Sequence, residues 1–126
     1  MEKYIFNGVA ALHIEDQTTT KRCGHLLGKE LVDAETFVAR IRAAAAARKR
    51  LDDDIVIIAR TDALQSLGFD EAVKRLKAAV AAGADVAFLE GMTSKDEMRW
   101  CVQAMVSVVG ISQAPPLVTL FSRPKH

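Results

Sequence analysis

Four short stretches of the sequence carry residue types that can do acid–base or anion-binding chemistry. Cys23 stands among Lys21, Arg22 and His25, with Gly24 beside it. Neighbouring positive charge lowers a thiol pKa and favours the thiolate. Such a group can exchange a proton with a carbanion or enolate near neutral pH. Gly24 lets the backbone approach a ligand closely. The competing reading of Cys23 is an inert, partly buried thiol. The other three stretches follow apolar runs: His13, Glu15 and Asp16 after the first, Arg60, Thr61 and Asp62 after the second, Glu90 after the third. An arginine can grip a carboxylate by two parallel hydrogen bonds, and carboxylate oxygens suit magnesium or manganese. Together these groups suit a small anionic substrate with a divalent cation. The plain alternative is that charged residues resume wherever a strand ends, because they are seldom buried without a partner.

The elements that must position these residues read as alternating strands and helices. Strands are expected at 9–14, 55–59, 85–89 and, more weakly, 117–120. The run Ile55-Val56-Ile57-Ile58-Ala59 is almost purely β-branched, the composition of a strand buried on both faces. Asp33 can cap a helix over 34–49, whose apolar positions Phe37, Val38, Ile41, Ala44 and Ala45 share one face. Asp70 can cap the next helix, with Val73, Leu76 and Val80 inward and Gly83 as its stop. Ser94 and Glu97 form a capping-box pattern for a third, with Met98, Cys101, Val102 and Met105 on one face. Cys101 then reads as plain core. His13, inside a strand, reads as a satisfied core histidine or as an orienter of a neighbouring group.

Buried strands alternating with amphipathic helices imply an α/β fold with a parallel sheet and right-handed crossovers. An open doubly wound sheet and a (β/α) barrel compete. No Gly-x-Gly-x-x-Gly follows any strand, and no Gly-Lys-Ser/Thr phosphate loop occurs, which favours the barrel. In either case the strand ends gather at one rim, where such folds place their sites. The segment 16–30 is long for a βα loop, and long loops are often functional.

Composition narrows the function classes. The 126 residues fit one domain, half of them are hydrophobic, and the formal net charge is +1 from 17 basic and 16 acidic residues. That balance, with one Trp and one Tyr, does not suit a nucleic-acid or membrane-surface binder. No apolar stretch approaches the span of about 20 residues that crosses a bilayer. Two cysteines make no disulfide framework, so an intracellular, reducing location is expected, cytoplasmic in the first instance. No zinc spacing occurs.

The motifs also resemble a known family. Lys21-Arg22-Cys23-Gly24-His25-Leu26 is similar to the signature hexapeptide of isocitrate lyases and their relatives. His13-Ile14-Glu15-Asp16-Gln17 precedes it at the family's spacing. Ala59-Arg60-Thr61-Asp62-Ala63 follows, then Gly83-Ala84-Asp85 and Phe88-Leu89-Glu90-Gly91. The chain thus resembles the isocitrate lyase/phosphoenolpyruvate mutase superfamily, and most of all its methylisocitrate lyase-like and oxaloacetate hydrolase-like branches. The resemblance implies a (β/α)8 barrel and magnesium- or manganese-dependent cleavage of a carbon–carbon bond in a small 2-hydroxy or 2-oxo di- or tricarboxylate, through an enolate. It assigns Cys23 as general acid/base, Arg60 as clamp on a substrate carboxylate, and Glu90 as its support. It assigns Lys21, Arg22, Gly24 and His25 to substrate binding and Glu15 to the metal through its hydration shell. True phosphoenolpyruvate mutases lack the Lys-Arg-Cys-Gly-His loop, which favours carbon–carbon cleavage over phosphorus–carbon rearrangement, with a phosphonomutase relative kept as an alternative. Oxaloacetate-type hydrolysis stays open. Full-length relatives imply a homo-oligomer.

Two departures from the family pattern shape the remaining expectations. The family's aspartate-rich metal motif on an earlier strand has no counterpart here, and Glu15 alone makes a poor magnesium site. The resemblance fades after Met105. Residues 1–126 are therefore expected to form a single incomplete barrel domain with a divergent tail at 106–126. A truncated chain of this kind would be a lyase unit completed by other parts, or a non-catalytic fragment or interaction module using its open sheet edges.

Overall fold

In the computed structural model, residues 1–19, 28–51 and 54–106 are described in full, and residues 117–122 by their backbone. The elements run α1 (Glu2–Phe6), β1 (Ala11–Glu15), α2 (Ala34–Arg50), β2 (Val56–Thr61), α3 (Leu64–Leu67), α4 (Phe69–Ala81), β3 (Val86–Met92), α5 (Lys95–Val106) and β4 (Leu117–Ser122). All three strand pairs are parallel, and the strands lie side by side in chain order, β1-β2-β3-β4. A doubly wound sheet reverses its strand order at a switch point. Four strands in unbroken sequence, each joined to the next by a crossover, are instead the topology of consecutive barrel strands. The chain is a partial (β/α) barrel.

α2 and α5 form where the sequence has a start signal and an apolar face. The Asp33 carboxylate accepts from the Thr36 N–H at 2.7 Å and caps α2. At α5 the capping box is complete: Ser94 Oγ accepts from the Glu97 N–H at 3.1 Å, and Glu97 Oε2 accepts from the Ser94 N–H at 3.2 Å. Asp70, by contrast, does not cap α4. The cap position is Gly68, at φ 85°, and Asp70 sits in the first turn with Glu71. The glycine tolerates the positive φ that separates α3 from α4, and the two acidic residues suit the positive end of the helix dipole. Gly83 ends α4 as expected, at φ 112° just past the cap Ala82.

The helices cover the outer face of the sheet in two clusters. Phe37, Ile41 and Ala44 of α2 pack on Ile57 and Ala59 of β2, with Ala79 and Ala84. Ala72 and Leu76 of α4, with Cys101 and Met105 of α5, pack on Ala87, Leu89 and Met92 of β3. Cys101 is core, as expected. Val102, expected on the same face, is exposed, because it lies one residue round the helix from Cys101, about 100° away.

Strand burial differs from the expected pattern at β2. Ile57, Ala59 and Thr61 are buried, but Val56, Ile58 and Arg60 are half-buried. Four strands curve around only part of a barrel, so among the described residues no opposite wall covers the inner face. β3 is buried along its whole length.

The strands also run further than their apolar runs. Glu15, Arg60, Thr61 and Glu90 lie on the strands rather than beyond them. Ladder hydrogen bonds use the backbone and are indifferent to side-chain polarity, so a strand continues wherever its neighbour does.

Candidate active site

Strand alternation sends every second side chain to the inner face. The parallel register then sets these side chains in layers. His13 pairs with Ile58, and Ile58 with Val86. One layer nearer the carboxyl rim, Glu15 pairs with Arg60, and Arg60 with Phe88. Glu90 follows on β3. His13 is exposed and not core; its ring lies 5.4 Å from that of Phe88, because the inner face bears it rather than the helix-packed side.

Arg60 is the centre of the rim. Its Nε donates to Asp62 Oδ2 and its Nη2 to Asp62 Oδ1, both at 3.1 Å. Glu15 Oε2 lies 3.6 Å from Nε, and Glu90 Oε2 lies 3.7 Å from Nη2. The Phe88 ring lies under the guanidinium, 5.4 Å from Cζ, within cation–π range. Burial opposes the charge on Arg60, but the hydrogen bond and charge of Asp62, with the charges of Glu90 and Glu15, outweigh it and raise the Arg60 pKa.

Asp62 has a second cation. Lys29 Nζ donates to Asp62 Oδ1 at 2.8 Å, and the two side chains are 2% and 0% exposed. Burial pushes the Asp62 carboxyl up, but the bonds from Arg60 and Lys29 hold it below the ordinary carboxylate range. Lys29 reaches the rim because the loop after β1 is closed at its base. Gln17 bridges Leu31, the Thr18 N–H donates to the Glu30 carbonyl at 2.9 Å, and the Val32 N–H donates to the Asp16 carbonyl at 2.8 Å. Arg40 of α2 adds two bonds from Nη1, to the Glu15 and Gln17 carbonyls, each 3.1 Å.

Behind the rim a second network holds the strand ends. Asp16 is fully buried and accepts from Thr61 Oγ1 at 2.6 Å, the Asp62 N–H at 2.9 Å and Arg75 Nη1 at 3.1 Å. Arg75, on α4, also donates to the Val32 carbonyl at 2.8 Å and to Glu71 at 3.2 Å. Burying two charges is costly unless each is paired and hydrogen-bonded, and here both are.

Of the residues singled out from sequence, the structure brings Glu15, Arg60 and Glu90 together on one inner rim. Lys21, Arg22, Cys23, Gly24 and His25 lie outside the described residues. Lys29 and Arg75 escaped the sequence reading. Lys29 has no local signal, since its partner is 33 positions away. Arg75 had one: it falls among Ala72, Leu76 and Ala79 on the core-facing side of α4, where a lone charge demands a buried partner.

Among the described residues, no three His, Cys, Asp or Glu side chains gather as a metal site. Asp16 and Asp62 are committed to cations of the protein, and Glu15 flanks Arg60. A magnesium ion takes near-octahedral oxygen coordination. The described donor set falls short of that, and Glu15 alone is a contact to a hydrated ion.

A partial parallel barrel with an arginine–carboxylate rim at its strand ends places the chain in the (β/α)-barrel fold class. Sequence comparison gives the family: the profile described as phosphoenolpyruvate phosphomutase matches residues 1–122, and the chain belongs to this family, within the phosphoenolpyruvate mutase/isocitrate lyase superfamily. A 2-methylisocitrate lyase of Shewanella oneidensis is 49% identical over 92 residues, which are 73% of this chain and 31% of that protein. A crystal structure of 2,3-dimethylmalate lyase superposes with a TM-score of 0.80 at 62% identity, covering 81% of this chain and 34% of the other. A structure of oxaloacetate acetylhydrolase with the inhibitor 3,3-difluorooxalacetate superposes with a TM-score of 0.84 at 50% identity, covering 94% of this chain and 37% of that one. The chain spans about a third of the length of these relatives.

Proposed function

We propose that this rim serves carbon–carbon bond cleavage in a small 2-hydroxy or 2-oxo di- or tricarboxylate. The observation that supports this reading is the placement of Arg60 on the inner face at the strand ends, between Glu15 and Glu90 and backed by Asp62. Asp62 takes the Nε–Nη2 edge of the guanidinium, so a substrate carboxylate meets the Nη1–Nη2 edge. That grip positions the anion and stabilises charge as it develops. In a retro-aldol cleavage the substrate hydroxyl passes its proton to water, its carbon becomes a carbonyl and the carbon–carbon bond breaks. The bonding pair then passes to the carbon next to a carboxylate, as an enolate. Cys23 is the proposed acid that delivers a proton to that carbon, with Lys21, Arg22, Gly24 and His25 as proposed substrate-binding residues. Glu90 restrains Arg60 from the neighbouring strand.

The resemblance implies magnesium or manganese, which would supply Lewis-acid stabilisation of the enolate oxygen. Because the donors described on this chain are too few for such an ion, Glu15 is proposed only as a contact to its hydration shell, and no step is assigned through it.

Hydrolysis of oxaloacetate is the second reading, favoured by the 50% identity to oxaloacetate acetylhydrolase across most of this chain. The experiment is turnover of isocitrate, methylisocitrate, dimethylmalate and oxaloacetate with magnesium, using Cys23→Ser and Arg60→Lys as controls. Turnover that requires Cys23 and falls by about 100-fold in Arg60→Lys is expected. The products decide between lyase and hydrolase. No turnover by the folded chain leaves the reading of a non-catalytic fragment or interaction module.

A further inference from the structure

We propose that Lys29 and Asp62 are positioning residues that act in series on Arg60: Lys29 fixes the Asp62 carboxylate, and Asp62 fixes the guanidinium. The inference rests on the reading of Arg60 as a carboxylate clamp.

The geometry is that of a relay. Asp62 Oδ2 accepts from Arg60 Nε, while Asp62 Oδ1 accepts both from Arg60 Nη2 and from Lys29 Nζ. One carboxylate oxygen is thus shared by the two cations. The side-on bidentate contact sets the plane of the guanidinium, and a guanidinium's donors lie in a rigid fork, so fixing one edge aims the other. Lys29 and Asp62 are both shut off from solvent, so neither meets the substrate itself. Without Lys29, Asp62 would lose the bond that holds its carboxylate plane, and the guanidinium it aims would lose its orientation with it. Lys29 also lies on the returning limb of the loop whose base is closed at Gln17 and Leu31.

A series arrangement has a signature that mere structural support lacks. Removing Lys29 should matter only while Asp62 is present. Two readouts test this in the full chain. The first is protection of the Arg60 Nε–H from water exchange, measured by NMR, with the resonance assigned by its loss in Arg60→Lys and exposed Arg42 as reference. The second is affinity for oxalate in magnesium buffer. Asp62→Asn is expected to reduce Nε–H protection to that of Arg42 and to weaken oxalate about tenfold, as a misaimed binding group does. Lys29→Met is expected to lower both in the same direction, and the double variant to be no worse than Asp62→Asn alone. Should Lys29→Met not fold, Lys29→Gln, of similar reach but uncharged, replaces it. Unchanged Nε–H protection in Asp62→Asn, or losses that multiply in the double variant, would overturn the proposal. A wild-type chain that binds no oxalate would remove the clamp reading, while the Nε–H measurements would still decide whether Lys29 and Asp62 position Arg60.

Discussion

Lys29 Nζ and Asp62 Oδ1 lie 2.8 Å apart across 33 positions of sequence, and neither side chain is open to solvent. Removing Asp62 leaves the buried Lys29 ammonium without this partner, at a cost of about 3–5 kcal/mol, whereas removing Lys29 leaves Asp62 still paired with Arg60. Removing both charges avoids that. Asp62→Asn is therefore expected to lower the urea midpoint well below that of Lys29→Met/Asp62→Asn. Equal midpoints would show that the pair is hydrated in solution.

The same pair sets part of the acid sensitivity. Arg60 and Lys29 hold the Asp62 carboxyl below its ordinary range. A folded-state pKa below the unfolded one gives stability that is fully present above the unfolded value, about 3.9, and is lost as pH falls through the folded value. Unfolding followed by circular dichroism from pH 7 downwards should therefore be less acid-dependent below about pH 4 in Lys29→Met/Asp62→Asn than in wild type. An identical profile would remove Asp62 as a contributor.

Arg75 carries the second buried network. Arg75→Met removes the cation from the fully buried Asp16 and leaves it, among the described residues, the bonds from Thr61 and the Asp62 N–H. A loss of about 3 kcal/mol in urea unfolding is expected. Lys74→Met, one residue away and exposed, should change stability by less than about 0.5 kcal/mol. Similar effects from the two substitutions would contradict the placement of Arg75.

Gly83 marks where α2 approaches the α4–β3 turn. A Cβ at Gly83 would lie 2.7 Å from Ala45 Cβ, and the residue has φ 112°. Gly83→Ala therefore adds a clash and a backbone strain, together costing about 2–4 kcal/mol. Ala45→Gly should recover part of that loss by removing the clash but not the strain. Complete recovery would show that the backbone conformation carries no penalty.

Cys101 is buried in the α4–β3–α5 cluster, and burial pushes its thiol pKa up to about 11. In a Cys23→Ser background it is the single thiol, and at pH 8 it should react with iodoacetamide only as fast as the chain unfolds. Its folded pKa exceeds the unfolded value, so its contribution is complete below about pH 8.5 and is lost as pH rises towards the folded value. Rapid labelling of the native chain would contradict its burial.

Much of the architecture was legible from the residue pattern alone. Periodicity gave the α/β alternation and the helix faces of α2, α4 and α5, because burial against a sheet selects one stripe of each helix. The caps at Asp33 and Ser94 were readable because a cap is a local contact over three residues. The motif residues Glu15, Arg60 and Glu90 were readable as rim groups because strand ends of a parallel fold meet by topology. What the pattern left undecided was anything that depends on which strand lies beside which. Alternation alone fits an open sheet as well; the absent Gly-rich signatures and the family motifs pointed to the barrel, and the strand order β1-β2-β3-β4 bears it out. The exposure of His13 needed the inner face, since a strand's own sequence does not say which side the helices cover. The partners of Asp62 and Asp16 needed the closed base of the loop and the placement of α4. A buried charge chooses its counter-ion by distance in space, and Lys29 and Arg75 come within reach only once the chain has folded.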